Sequence, residues 1–249
     1  MDGAQNRRNA PAGVDTCRRH AGIAARQRGG YCCAWIQALH EDDTMLRSVL
    51  RSLVALGMGV ALASTALAAG DPVAGKTKFS GCASCHTAPG YIQSSNPPYH
   101  APRLAGQHAE YLLTALNAYQ NGERQHPVMH TNSFPLNAQD MQDVTAFLAS
   151  LRGSEPPAPV RGNADAGKAK SGTCTACHGI DGNGPVTTYP RLAGQYEDYL
   201  RKALADYQSG TRRNEVMKGI VLFLSPRDLD DLAAWFASQP NGLSSVPHN

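Results

Sequence analysis

Two five-residue motifs of the same form constrain this chain more than any other feature of its sequence. They are Cys82-Ala83-Ser84-Cys85-His86 and Cys174-Thr175-Ala176-Cys177-His178. In such a motif the two thiols can add to the vinyl groups of a haem, and the adjacent histidine can bind its iron. The motifs therefore predict two covalently bound haem c groups, each attached through the two cysteines of one motif.

The alternative for paired Cys-x-x-Cys motifs is a structural zinc site. Zinc binding does not explain why a histidine directly follows the second cysteine in both copies. It also does not require a methionine at matching positions in the two parts of the chain. We therefore favour haem, with His86 and His178 as axial ligands of the two irons.

An internal repeat organises the chain after residue 68. The block Pro102–Gln107 (PRLAGQ) recurs 88 positions later as Pro190–Gln195, whereas the two haem motifs are 92 positions apart. The first copy therefore has four extra residues in the loop after its motif. This self-similarity predicts two copies of one small domain, at residues 69–152 and 163–249. The proline-rich residues 153–162 between them predict an extended linker.

The pattern of apolar residues in both copies is typical of helices. Apolar side chains recur every four residues from Tyr111 to Tyr119, and the second copy repeats the pattern. Asn137 and Ser225 are predicted N-caps, and Asp71 and Asp165 are expected to cap the helices that lead into the motifs. No stretch alternates convincingly between polar and apolar residues, so the predicted fold class is all-α.

The sixth iron ligands are expected to be methionines. Beyond residue 68 the chain contains Met129, Met141 and Met217. Met129 and Met217 are equivalent in the repeat, whereas Met141 matches Leu229 inside a predicted helix. We expect Met129 and Met217 to approach the irons from an irregular loop, opposite the motif histidines. Packing in the core is the alternative for these two side chains.

Four histidines of the first copy have no counterpart in the second. His126 and His130 flank Met129, and either of them could replace it as an iron ligand, which would lower the potential of that haem. His100 and His108 are expected at the surface or against a haem edge.

The repeated proline block is expected to support the ligands. The carbonyl oxygens of Pro102 and Pro190 could accept the Nδ1 proton of the motif histidine and fix its tautomer. Arg103 and Arg191 could pair with haem propionates, and an exposed side chain is the alternative for both.

The segment before the repeat is typical of an export signal. Basic residues precede the short apolar run 53–62, and small residues up to Ala68 offer a cleavage site. This predicts a signal peptide at residues 45–68 and a periplasmic protein, with an uncleaved membrane anchor as the alternative. Residues 1–44 do not fit an export signal and are expected to be a mis-assigned extension before a start at Met45.

The charge balance does not favour nucleic acid as a partner. The whole chain has 23 basic and 20 acidic side chains, but eight of the arginines and five of the acids lie in residues 1–68. The remainder has 15 of each and no formal net charge. The basic excess therefore belongs to the segment expected to be removed.

With these features the chain resembles the cytochrome c4 family of dihaem class I c-type cytochromes. The resemblance covers residues 69–249 and rests on both haem motifs, both proline blocks and the ending Ala234–Gln239. It implies two tandem class I cytochrome c-type domains related by an internal repeat. It also implies ligation of one iron by His86 and Met129, and of the other by His178 and Met217. Carried over from the family, Pro102 and Pro190 orient the histidines.

The resemblance implies a periplasmic electron carrier of a respiratory chain. Its expected partners are an upstream quinol-oxidising complex or dehydrogenase and a downstream terminal oxidase, with possible peripheral association with the periplasmic face of the inner membrane. The alternatives are a cytochrome subunit of a dehydrogenase, such as a flavocytochrome sulfide dehydrogenase, and a dihaem peroxidase or thiosulfate-oxidising enzyme. The paired methionines argue against an enzyme, because a six-coordinate iron has no open position for a substrate.

Overall fold

A computed structural model describes residues 70–152 and 155–248. The predicted extension 1–44 and the predicted signal peptide 45–68 lie outside these described residues. Within the described part of the chain, no helix has the length and apolar character needed to cross a membrane.

The two domains contain the same succession of helices. The first domain consists of α1 (Pro72–Lys78), α2 (Ser80–His86), β1 (Ile92–Gln93), β2 (Tyr99–His100), α3 (Ala109–Gln120), α4 (Pro127–Ser133) and α5 (Ala138–Ser150). The second consists of α6 (Ala164–Lys170), α7 (Gly172–His178), α8 (Glu197–Ser209), α9 (Glu215–Val221) and α10 (Pro226–Ala237). The all-α prediction is confirmed, with one small exception in the described residues. The loop with the four extra residues forms an antiparallel hairpin of β1 and β2.

Local capping interactions set where the helices begin. The side chain of Asp71 caps α1, and Asn137 and Ser225 form capping boxes at the starts of α5 and α10, as predicted. The prediction for Asp165 is wrong. The N-cap of α6 is Asn163, two residues before the expected one, and its side chain accepts a hydrogen bond from the amide of Ala166. Asp165 lies in the first turn of the helix. There its charge still suits the helix dipole.

The first and last helices of each domain cross in direct backbone contact. A Cβ atom placed on Gly75 of α1 would lie 1.9 Å from the carbonyl oxygen of Asp143 in α5. Gly167 of α6 has the same relation to Asp231 of α10, also at 1.9 Å. Because no side chain fits in such a gap, glycine at these two positions is a condition for the crossing.

Each core combines residues of its own domain with one residue from the C-terminal segment or the linker. The first core cluster contains Phe79, Ala105, Leu112, Val144, Phe147, Leu148 and, from the C-terminal end of the chain, Val246. The second contains Leu200, Ala233, Phe236 and Ala237, with Val160 of the linker packed against it. The C-terminal segment thus contributes to the core of the first domain, and the linker contributes to that of the second.

An ion pair stabilises the crossing of the first and last helices in each domain. The Nζ atom of Lys78 lies 2.6 Å from the carboxylate of Asp143, and that of Lys170 lies 2.8 Å from Asp231. Each lysine also pairs with a second aspartate, which lies one turn before the first aspartate in the last helix of the domain: Lys78 with Asp140, and Lys170 with Asp228. The hydrogen bond from Lys78, followed by those from the Asp71 amide and the Gln139 side chain, lowers the pKa of Asp143 to about 2.

The ion pair between Lys78 and Asp143 predicts how the stability of the protein depends on pH. The ordinary pKa of 3.8 falls to about 2 in the folded protein. The stabilisation that the ionised Asp143 contributes to the folded protein is therefore fully present above about pH 4 and is lost as the pH falls towards about 2. We expect the free energy of unfolding in urea to decrease across this interval. In Asp143→Asn it should be lower at pH 7 and decrease less on acidification.

The control is Asp165→Asn, which removes an exposed carboxylate from the first turn of α6. It should keep the acid dependence of the parent protein. If the free energy of unfolding of Asp143→Asn decreased on acidification as much as that of the parent protein, the role given to the ion pair between Lys78 and Asp143 would be contradicted.

Candidate cofactor site

The motif histidines end the second helix of each domain and are held in one tautomer. The Nδ1 atom of His86 lies 3.0 Å from the carbonyl oxygen of Pro102, and that of His178 lies 2.9 Å from Pro190. Burial lowers the pKa of both imidazoles and so favours the neutral ring. A neutral ring that donates its Nδ1 proton to a carbonyl keeps the Nε2 lone pair free for a metal.

Both motifs line one cavity of about 370 Å³. The lining includes the four predicted axial ligands and three of the four motif cysteines: Cys82, His86, Met129, Cys174, Cys177, His178 and Met217. Cys85 lies on α2 and is half-buried. Burial raises the pKa of the Cys82 and Cys174 thiols, which favours their protonated form. Most other lining side chains are apolar, as a large flat macrocycle requires.

The two methionines lie in short helices, and the expectation of an irregular loop was wrong. Met129 is in α4 and Met217 is in α9. The amide of Met129 donates to His126 Nδ1 at 3.1 Å, and the amide of Met217 donates to Asn214 Oδ1 at 2.9 Å. Each methionine is therefore held in the first turn by the N-cap of its helix.

The two histidines beside Met129 have other partners. The Nδ1 atom of His126 accepts from the Met129 amide, and its Nε2 atom lies 2.9 Å from the hydroxyl of Tyr99. The Nδ1 atom of His130 lies 2.8 Å from the carbonyl oxygen of Tyr119, and its ring is exposed. These contacts give both histidines structural roles and favour Met129 as the ligand.

The remaining two histidines of the first domain contact the second domain. His100 stacks on Tyr196 with 4.5 Å between ring centroids, and its Nδ1 atom lies 2.7 Å from Asp198. The Nε2 atom of His108 lies 2.9 Å from the carbonyl oxygen of Gly184. The expectation of surface residues was wrong for both, which are partly buried against the second domain, because the sequence does not show which residues face that domain. The expectation of a contact with a haem edge stays a prediction.

The arginines of the proline blocks place buried hydrogen-bond donors beside the cavity. Arg103 is buried, not exposed as the alternative held, and its guanidinium bonds to the carbonyl oxygen of Gly194 at 2.7 Å and to Glu155 at 3.2 Å. The Nε atoms of Arg103 and Arg191 are nevertheless buried and lack a hydrogen-bond partner among the described residues. Both arginines line the cavity. Two equivalent unpaired donors at a cavity of this kind fit the carboxylates of a haem.

The two proline blocks also bind each other through their glutamines. Gln195 accepts from the Arg103 amide at 2.8 Å and donates to the Arg103 carbonyl at 3.0 Å. Gln107 makes the same pair of bonds with Arg191, at 2.8 and 3.0 Å. Sequence reasoning missed this contact, although the glutamine that ends each block was the available signal.

A second matched contact involves arginines and tyrosines that sequence reasoning also missed. Arg124 donates to the hydroxyl of Tyr199 at 2.5 Å, and Arg212 donates to that of Tyr111 at 2.7 Å. The backbones of the two arginines form an antiparallel bridge between the domains. The tyrosines were identified only as part of a helical apolar pattern, which does not distinguish a core from an interface.

The glutamine contact predicts a measurable cost on substitution. In Gln107→Leu the Arg191 amide and carbonyl remain in the interface without their partners, which costs about 1–3 kcal/mol. We expect a correspondingly lower free energy of unfolding in urea, and earlier separation of the two domains by proteolysis of the linker. Gln125→Leu alters an exposed side chain and serves as the control. Equal stability of the two variants would contradict the role assigned to Gln107.

Comparison with known proteins also indicates a c-type cytochrome with two domains. A family model described as cytochrome c matches this chain twice, at residues 72–152 and 164–240. A cytochrome c4 of Pseudomonas aeruginosa is 34% identical over 196 residues, which are 74% of this chain and 96% of that protein. A protein of Thiomonas intermedia described as a thiosulfate dehydrogenase electron acceptor is 28% identical over 64% of this chain and 78% of its own length.

Solved structures share the fold. The structure of cytochrome c4 from Acidithiobacillus ferrooxidans is 28% identical, with a TM-score of 0.57, and the match covers 64% of this chain and 99% of that one. A thiosulfate dehydrogenase structure from Marichromatium purpuratum is 31% identical with a TM-score of 0.60. That match covers 68% of this chain but only 40% of the longer chain of the dehydrogenase.

Proposed function

This chain belongs to the cytochrome c4 family of dihaem c-type cytochromes, and from this we propose that it carries electrons between redox proteins of a periplasmic respiratory chain. It contains two covalently bound haem c groups. Each haem supplies one site for a single electron, so the loaded chain holds two. The observation that carries the proposal is the matched His/Met pair that each domain brings to the shared cavity.

In this proposal the first haem is attached through Cys82 and Cys85, with His86 and Met129 as its axial ligands. The second is attached through Cys174 and Cys177, with His178 and Met217 as ligands. Support comes from the carbonyl of the proline in each block, which holds the ring of its histidine, and from the unpaired Nε donor of the arginine that follows. The same set of side chains is thus available twice.

The protein surroundings favour electron transfer over bond chemistry. The N-caps that bond the Met129 and Met217 amides hold the backbone of both methionines in place. An iron with both axial positions filled offers no coordination position to peroxide or thiosulfate. This supports a carrier over a dihaem peroxidase or a thiosulfate-oxidising enzyme.

The partners are proposed from the relatives. One relative is described as a thiosulfate dehydrogenase electron acceptor, which supports a dehydrogenase as the electron donor. A quinol-oxidising complex is the other donor class, and a terminal oxidase at the periplasmic face of the inner membrane is the proposed acceptor. The second candidate function is a cytochrome subunit bound to a dehydrogenase, of which a flavocytochrome sulfide dehydrogenase is one form. The likeness to part of a thiosulfate dehydrogenase chain favours that class of assembly.

Stopped-flow reduction distinguishes these roles. The oxidised protein is mixed with thiosulfate dehydrogenase and thiosulfate, and then with a membrane fraction that contains terminal oxidase. A free carrier should be reduced in the first step and reoxidised in the second, with rates proportional to its concentration. Peroxide turnover at enzymatic rates, or a high-spin ferric spectrum, would contradict the proposal. Stable co-purification with a dehydrogenase would favour the subunit role.

Replacement of each proposed methionine ligand should act on one haem. Thioether ligation favours ferrous iron, so Met217→Ala should lower the potential of the second haem, and Met129→Ala that of the first. Each variant should lose about half of the weak methionine-to-iron absorption at the red edge of the visible spectrum, with two haems still attached. Redox titration, the visible spectrum and the mass of the intact protein measure these effects.

Met141→Leu is the matched control, because Met141 is buried in α5 and is assigned to the core. It should leave both potentials unchanged. A spectrum of Met217→Ala or Met129→Ala identical to that of the parent protein, or loss of an attached haem, would overturn the ligand assignment.

A further inference from the structure

Two backbone groups next to the haem motif of the second domain are bonded by the loop that follows that motif. The carbonyl oxygen of His178 accepts from the amide of Gly184 at 2.7 Å. The amide of Ala193, in the proline block, donates to the carbonyl oxygen of Gly182 at 3.3 Å. The second domain therefore completes the surroundings of its motif histidine with its own residues.

In the first domain the equivalent groups are bonded by the far end of the chain. The carbonyl oxygen of His86 accepts from the amide of Val246 at 3.1 Å. The amide of Ala105 donates to Ser244 at 3.0 Å, and the Ser244 amide donates back to Ala105 at 3.3 Å. Ser244 and Val246 have the same spacing as Gly182 and Gly184, and the Ser244 carbonyl and the Val246 amide take the places of the Gly182 carbonyl and the Gly184 amide. The carbonyl oxygen of Ala193, in contrast, accepts from the amide of Leu243 at 2.8 Å, so the start of the same segment also bonds to the second domain.

The loop after the first motif cannot make these bonds, because it runs to the other domain. Gly90 and Ile92 occupy the positions that correspond to the two glycines. The amide of Gly90 donates to the hydroxyl of Tyr196 at 2.9 Å, and Ile92 pairs with His100 in the hairpin. The four extra residues thus divert this loop and leave the groups beside His86 to another segment.

The C-terminal tail, residues 243–248, is built into the protein at this place. Leu243, Ser244, Ser245 and Val246 are each less than a tenth exposed. Val246 belongs to the core cluster of the first domain, and the amide of Ser245 donates to Glu155 at 3.2 Å. Such burial of a chain terminus, with its backbone groups paired, shows that the tail is part of the packed structure.

We infer that the tail is a positioning segment of the first haem site, which fixes the end of α2 at His86 and excludes water from that side of the haem. The inference rests on the proposed ligation of the first haem by His86. In the first domain the site is complete only when the end of the second domain is folded against it. The potential of the first haem therefore depends on the last residues of the chain.

The expected direction follows from solvation. Water that enters beside an iron site stabilises the more highly charged, oxidised form, so exposure lowers the potential. Removal of the tail opens the side of the first domain that Val246 and Ser244 cover. The second domain, which closes its own site with Gly182 and Gly184, keeps its surroundings.

The test compares two shortened chains, each isolated with both haems attached. One ends at Leu243 and lacks both bonding residues, and its control ends at Val246 and keeps them. The variant Val246→Pro retains the apolar bulk and removes only the amide that bonds to His86. Redox titration is carried out in the Met217→Ala background, which separates the two potentials, and hydrogen exchange is followed in peptides that cover residues 82–106 and 174–194.

We expect the chain that ends at Leu243, and Val246→Pro to a smaller extent, to show a lower potential of the first haem. Exchange should be faster in peptides of residues 82–106 and unchanged in those of 174–194, whereas the control should match the full chain. A potential of the first haem equal to that of the full chain in both the shortened chain and Val246→Pro would overturn the inference, as would equal effects in the two domains. Absence of low-spin His/Met spectra in the full chain would instead overturn the proposed function, so the two failures are distinguishable.

Discussion

The hydrogen bond from each motif histidine to the proline carbonyl of its own domain is the interaction on which the rest of the structure depends. It joins the helix that carries the cysteines to the PRLAGQ block and leaves one imidazole nitrogen free for iron. The next residue of the block, Arg103 or Arg191, contributes the unpaired donor at the cavity, and the last binds the other domain. One six-residue segment therefore orients a candidate ligand, lines the cavity and forms part of the interface.

Features that depend on nearby residues could be predicted from the sequence. The motifs and the N-caps Asn137 and Ser225 involve residues within a few positions of one another, and the repeat is visible by comparing the sequence with itself. Asp165 shows the limit of this reasoning, because two residues that can cap stand two positions apart and the sequence alone does not decide between them. The methionines were expected in a loop because a seven-residue helix is too short to produce a clear periodic pattern.

Contacts between the domains could not be predicted, for a different reason. A repeat shows what two copies share, and it contains no information about how they face each other. Gln107 and Tyr111 therefore looked like ordinary members of a repeated block and a helix, although each binds the opposite domain. His100 and His108 lack counterparts in the second copy, which marked them as special without showing that their partners lie across the interface.

The differences between the copies acquire a common explanation in the structure. The longer loop of the first domain reaches the second domain through His100 and Gly90, and the tail of the second domain returns to the first. This exchange makes the surroundings of the two motifs unequal while the sets of candidate ligands stay the same. Burial and hydrogen bonding around a haem set its potential together with its axial ligands. Two haem sites with the same ligands but different surrounding segments therefore have a physical basis for unequal potentials. Unequal potentials in one chain would give an electron a preferred site.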